Sequence, residues 1–202
     1  MTTLTMPSSP YFSANGNRFS LISNVKVFQS PANLTVQTAE YAGSVWAGEY
    51  NLPPMTREEA ASWLSFLVKL RGASGRFYGF DPGGRVPRGT ATGTPLVQGG
   101  SQTGTTLVTD GWTAGVTGIL KAGDYIGVNS QLYMVVADAN SDGSGVSSLT
   151  IEPPLRSSPS DNAPITTTQA SCVMRLSSND VSWDISSIML FGLSFQGIET
   201  FT

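Results

Sequence analysis

The chain has 202 residues, 40% of them hydrophobic and 9% aromatic, enough for a buried core, while only 12% are charged, about half the share usual in a soluble domain. Its 14 acidic and 11 basic side chains leave a net charge of −3, which argues against a nucleic-acid-binding domain. With no His and one Cys, Ser-His and Cys-His relays, a His-containing zinc site and an intrachain disulfide are excluded.

The composition, with 22 Gly, 12 Pro and abundant Thr and Ser, is that of short strands joined by turns, with uncharged polar outer faces. The first ten residues, MTTLTMPSSP, lack the charged and apolar regions of a signal peptide. No apolar run reaches the roughly 18 residues of a membrane helix. Both features lead to the expectation of a product made and kept in a cytoplasm without membrane insertion. Strands are expected at 19–23, 25–28, 34–37 and 44–52, where the period is two between Asn, Pro and Gly turns. Asn33-Leu34-Thr35 is a formal glycosylation sequon that a cytoplasmic product does not use.

One helix is predicted over 57–71. Thr56-Arg57-Glu58-Glu59 has the capping-box form, with the Thr56 hydroxyl set to accept from the Glu59 amide and the Glu59 carboxylate from the Thr56 amide. Ala60, Trp63, Leu64, Leu67 and Leu70 recur at helical spacing, and Phe66 and Val68 widen the stripe. Gly72 is expected as the left-handed residue just past the end. An aromatic strand, 76–80, follows.

From 89 to 165 the character changes. The segment GTATGTPLVQGGSQTGTTLVTDGW carries no charge before Asp110. Strands are expected at 124–128 and 131–136 around an Asn129-Ser130 turn, then at 148–152 beyond a polar DANSDGSG tip. The shift marks an inserted β-meander or small, OB-like β-barrel domain at 89–165. Strands at 172–176, 182–185 and 189–201 then complete a discontinuous first domain, 1–88 plus 166–202. The fold class is mostly β: a β-sandwich flanked by one α-helix, with the insert.

Chemistry-bearing motifs are few. Glycines in RGASGRFYGFDPGGRVPRG, 71–89, follow a helix C-terminus, the wrong order for a phosphate loop, so no nucleotide cofactor is expected. Asp138, Asn140, Asp142 and Gly143 match the first half of a calcium loop, but Leu149 stands where its bidentate Glu belongs. A solvated turn is the preferred reading, a non-helical calcium site its alternative, and no metal is expected. Six of the 11 basic residues lie within 57–88. Arg71, Arg76, Arg85 and Arg88 among them are candidate subunit-interface contacts, since the guanidinium fork suits interfaces. Trp112, Tyr125 and Tyr133 are candidate sugar-stacking rings in the insert, with a core role as the alternative. Cys172 reads as a small buried hydrophobe on a strand. No pair among the 14 acids is marked out for catalysis, so the chain is not expected to be an enzyme.

The ordered set Trp46, NLPPMTREEAASWLSFLVKLRG, GRFYGFDPGGRVPRGTATGTPLVQGGSQTGTTLVTDGW, LKAGDYIGVNSQLYMVV, LTIEPPLR and Gly-Ile-Glu-Thr-Phe resembles the minor tail proteins of long-tailed, non-contractile bacteriophages, and among them the distal tail protein. The resemblance runs over about residues 40–165. It implies a tail-tube-like ring domain at 1–88 plus 166–202, closing as a hexamer between the tail tube protein and the tail-tip hub or baseplate. The 89–165 domain would sit outside that ring. Genome DNA would pass through without specific binding, and the location implied is the virion tail tip. Another tail part, such as a tube or terminator protein, and a carbohydrate-binding tip module remain the alternatives.

Overall fold

The computed structural model describes residues 2–12, 16–41 and 43–201. The first stretch contains β1 (Thr3–Thr5), β2 (Arg18–Ile22), β3 (Val25–Gln29), β4 (Val36–Glu40), β5 (Val45–Asn51), α1 (Arg57–Leu70) and β6 (Arg76–Gly79). The middle holds β7 (Gly93–Val97), β8 (Gly104–Trp112), β9 (Tyr125–Val128), β10 (Gln131–Val135), β11 (Ser147–Leu155) and β12 (Ile165–Thr166). The last stretch gives β13 (Cys172–Leu176), β14 (Trp183–Ile185) and β15 (Phe191–Glu199). The described residues are mostly β, with a single α-helix among them.

Two principal sheets divide these strands. The first runs β1-β6-β13-β15-β5-β2, with β14 beside β15. It is antiparallel except where β1 lies parallel to β6. The late strands β13 and β15 occupy its middle, between β6 and β5, so this sheet forms only once both ends of the chain have come together. Residues 93–166 build the second sheet alone, in the order β12-β9-β10-β11-β8-β7, antiparallel throughout. Its two ends meet: Leu96 bridges Pro164, and the Val97 amide donates to the Ala163 carbonyl at 3.0 Å. The second sheet is therefore a closed barrel of six strands, which leaves no edge.

The helix is specified locally and held tertiarily. The Thr56 amide and hydroxyl both donate to Glu59 Oε2 at 2.9 Å, which holds the Glu59 carboxyl below its ordinary range, and the Glu59 amide donates to Thr56 Oγ1 at 3.5 Å. Ala60, Trp63, Phe66, Leu67 and Leu70 face the first sheet. Val68 is 60% exposed, because at about 100° per residue it falls about 130° from the centre of that stripe. The helix stops one residue short of the expected span: Arg71 itself takes the left-handed conformation at φ 50°, followed by Gly72 at φ 66°. A side chain on Gly72 would meet Asn179 Oδ1 at 2.8 Å, and that same oxygen accepts from the Ala73 amide. The helix end is thus fitted to a late loop of the chain.

Around Trp63 the rings of Phe12, Phe66 and Phe195 pack at centroid distances of 5.4 to 6.1 Å, each such contact adding about 0.5–1.5 kcal/mol. This core draws on residues 6–80 and 170–195 and also takes in Tyr125 and Leu132 from the barrel. A second core of Val97 to Ile165 fills the barrel interior.

Several expected boundaries shift. Leu34 adopts φ 57° in the turn between β3 and β4, so that strand begins at Val36 rather than at 34. The 89–112 segment, for which no strand bounds were expected, forms β7 and β8, and β1 and β12 escaped the pattern because each is only two or three residues long. The Asn129-Ser130 connection is a two-residue turn with φ 50° and 62°, both left-handed as such a hairpin requires. β3 and β4 pair only with each other among the described residues and belong to neither sheet.

Candidate functional site

The stretch 71–89 carries the chain from the sheet lobe into the barrel. After β6, Asp81 caps a short 3₁₀ turn by accepting the Gly83 amide at 2.8 Å. At Arg88 and Gly89 the backbone turns into the barrel and donates to the carboxylate of Asp124, at 2.7 and 3.0 Å. Asp124 also accepts from the Lys121 amide at 2.7 Å and is 3% exposed. Three backbone N–H groups thus satisfy one buried carboxylate and pin the exit. Gly89 passes so close to the Ile119 carbonyl that an added Cβ would lie 2.3 Å from it. On the way back, the Gln169 amide donates to the Arg85 carbonyl at 2.6 Å, tying the two linkers together.

Between the linkers the lobes share a wall. Along β9 and β10 alternate residues face opposite ways: Ile126, Val128, Tyr133 and Val135 fill the barrel, while Tyr125, Leu132 and Met134 pack on the sheet lobe. Both faces being covered, β9 is buried at every position. Trp46 from β5 stacks on Phe19, meets Tyr125 edge-on at 5.7 Å, and donates Nε1–H to the Leu132 carbonyl at 2.8 Å.

Beside this wall lies a buried ion pair. Arg156, just after β11, holds Glu199 at the end of β15 with Nη1 to Oε1 at 2.9 Å and Nη2 to Oε2 at 2.7 Å. The side chains are 11% and 2% exposed. Glu199 Oε2 also accepts the Trp46 amide at 3.0 Å, Arg156 Nη2 donates to the Ser44 carbonyl, and the guanidinium lies 4.2 Å over the Phe201 ring. Cys172 is buried on β13; burial raises its thiol well above the ordinary value, and Glu199 adds to the effect. Sequence reasoning marked neither Arg156 nor Glu199 nor Asp124. An available signal was Glu199 itself, which shares the inward phase of Leu193 and Phe195 and so needs a cationic partner.

The four marked arginines do not converge. Arg71 is exposed at the helix end. Arg76 Nη1 reaches the carbonyls of Ala73, Ser74 and Gly75 at 3.0 to 3.1 Å, so this nitrogen serves the turn after the helix. Arg85 lies 4.8 Å over the Tyr11 ring, and Arg88 is exposed near Asp138, whose carboxyl it helps hold down. Among the described residues the ion pairs are Arg156–Glu199 and Lys121–Asp138, and none of the four takes part in either.

The sugar-stacking assignment of Trp112, Tyr125 and Tyr133 is corrected. They are 4%, 7% and 1% exposed and present no ring face to a ligand. Trp112 donates Nε1–H to Thr109 Oγ1 at 2.8 Å inside the barrel, the Tyr133 hydroxyl bonds Gln131, and Tyr125 is enclosed between the lobes. Burial, with Asp81 beside it, raises the Tyr125 phenol well above its usual range. In DANSDGSG the oxygens turn to the backbone: Asp138 takes the Ala122 amide and Lys121 Nζ at 2.9 Å, Asn140 the Gly118 amide, and Asp142 the Ser144 and Val146 amides. No group of three or more His, Cys, Asp or Glu that could hold a metal is found among the described residues, and no described helix is long and apolar enough to cross a membrane.

Exposed large apolar side chains are unevenly spread. Ile22, Val25, Val27, Phe28, Leu34 and Val36 cluster at the β3–β4 ribbon, and Trp183, Ile185, Ile188 and Met189 at β14 and the turn before β15. Between residues 89 and 165 Val136 is the exposed large hydrophobe among the described residues. A scan of family models finds no match to the chain, and a search of curated proteins finds no relative.

Proposed function

We propose that the chain is a structural component of a bacteriophage tail, without catalytic activity, forming a ring at the distal end of the tail tube and joining it to the tail-tip hub. The observation that carries this reading is the contrast in exposed apolar surface between the lobes. The sheet lobe leaves apolar strands uncovered at two places, as a subunit does before it meets its neighbours, whereas the barrel covers its own. The resemblance of the ordered motifs supplies the identity of the assembly. In this reading the sheet lobe makes the ring, by heterologous contacts in which one surface meets a different surface of the next copy. The barrel rides outside it, held by the Arg156–Glu199 and Trp46–Leu132 contacts.

Genome DNA passes through such a ring without being gripped. The helix-free face of the first sheet carries Arg18 and Arg175 with Glu49, by strand alternation against the buried Phe77, Met174 and Tyr50 rows. Those cations would hold phosphates, so this face is assigned to contacts with protein and not to the channel wall.

The test is the mass of the purified chain by native mass spectrometry and light scattering across concentration. A closed assembly is expected, of about six copies as the resemblance implies. A chain that stays monomeric throughout overturns the reading. Electron microscopy of the particle then locates the chain, which is expected where tube meets tip.

A further inference from the structure

The two exposed apolar sites lie at opposite ends of the first sheet. β3–β4 leaves at the end where Ile22 pairs with Val45, near Glu199 of β15. β14 and its turn lie at the other end, where Ile185 pairs with Phe191 and Phe191 bridges Met55. At about 3.3 Å per residue, the nine residues of β15 separate them by roughly 30 Å. One chain cannot bring its own two sites together, but successive copies can.

The two sites match in pattern. In β3, Val25 and Val27 share one face, 43% and 63% exposed, with the exposed Lys26 between them on the other. In β14, Trp183 and Ile185 share one face, 42% and 51% exposed, with the exposed Asp184 between them. β3 pairs with β4 and β14 with β15, each on one side, leaving a second edge without a described partner strand. Among the described residues neither Lys26 nor Asp184 belongs to an ion pair; the Lys26 ammonium lies 5.9 Å from the Tyr41 ring. A two-stranded ribbon is marginal in water by itself, which favours a third strand.

We propose that β3 of one copy adds as a strand beside β14 of the next, with Val25 and Val27 against Trp183 and Ile185 and Lys26 opposite Asp184. Opposite charges facing across strands and apolar neighbours on the other face are the pairings that stabilise such a junction. The contact is heterologous, so repeating it closes a ring or extends a chain of copies. It deepens the ring reading, on which it rests, by naming the surfaces that meet.

The test uses the full chain carrying Lys26→Asp or Asp184→Lys. Each variant alone is expected to need at least a tenfold higher concentration to assemble than the unaltered chain, because like charges then face each other. Mixing the two variants in equal amounts is expected to restore assembly. Where the two kinds of chain alternate, every junction again sets a carboxylate against an ammonium, and only folded chains can do so. Single variants that assemble as readily as the unaltered chain, or a mixture no better than its parts, overturn the proposed contact and leave the ring reading standing. An unaltered chain that never assembles overturns both.

Discussion

The barrel and the sheet lobe solve the edge problem in opposite ways. In the barrel, β12 and β7 come together through Leu96 and Pro164, so every strand has two neighbours, and the interior is filled from Val97 to Ile165. In the sheet lobe β1 and β2 remain edges, a two-stranded ribbon stands apart, and Val27, Phe28, Ile188 and Met189 are 55–74% exposed. A closed unit is complete in one copy. An open one with apolar margins has surface left for other chains to cover, which is why the proposed ring draws its contacts from the first lobe.

Breaking the seam has the largest expected effect on this comparison. Arg156→Ala leaves Glu199, 2% exposed, without its counter-charge, a loss of about 3–5 kcal/mol. In the unaltered chain the two lobes are expected to unfold at closely spaced urea concentrations, because β9 and β10 contribute to both cores. In the variant the barrel, followed by hydrogen exchange of the β8 and β11 amides, is expected to outlast the sheet lobe, followed by helix ellipticity. Replacing both partners, Arg156→Met with Glu199→Leu, is expected to cost less than Arg156→Ala alone. A double variant worse than the single would show that the pair acts through something other than charge.

A smaller effect is expected at the exit into the barrel. Asp124→Asn keeps the shape but replaces one carboxylate oxygen by an N–H₂ that faces backbone donors, which leaves at least one of the Arg88, Gly89 and Lys121 amides unmatched. About 1–3 kcal/mol is the cost of such a group. Hydrogen exchange should report faster amides at 88, 89 and 121, with the sheet-lobe helix unchanged. If the helix amides loosen equally, the two lobes are one cooperative unit and the comparison fails.

The helix and the Asn129-Ser130 hairpin were legible because their determinants are local: a capping box three residues apart and two adjacent left-handed positions. The six-stranded sheet of residues 93–166 coincides with a change of composition, since this stretch uses Gly-Thr turns and no helix. What escaped notice depends on partners far along the chain. Thr109 is a buried polar residue on β8 whose hydroxyl donates to the Ser147 carbonyl at 2.9 Å, a pairing no pattern within 89–112 reveals. The rings of Trp112, Tyr125 and Tyr133 could not be divided into buried and exposed from their own neighbourhood. For Tyr125 the clue was the apolar run around it, which marks a strand covered on both faces. Arg156 and Glu199 stand 43 residues apart and meet only because β15 returns to the middle of the first sheet.

Acid offers the mildest way to separate the lobes. In the barrel, amides of Val146 and Ser144 hold the Asp142 carboxyl below its ordinary range, and the Ala122 amide and Lys121 do the same for Asp138. In the sheet lobe Glu59 is held down by Thr56 at the helix start. All three have folded values below their unfolded ones, so their contribution is present above about pH 4, the ordinary carboxylate value, and is lost as pH falls through the folded value. Asn at 142 can still accept from the backbone through Oδ1 but does not titrate. Asp142→Asn is therefore expected to lessen the drop in barrel melting temperature between pH 6 and pH 3 while leaving the helix signal's drop unchanged, and Glu59→Gln to do the reverse. Equal changes in both signals from either variant would mean that the lobes melt together, and that the seam is stronger than either carboxylate's turn.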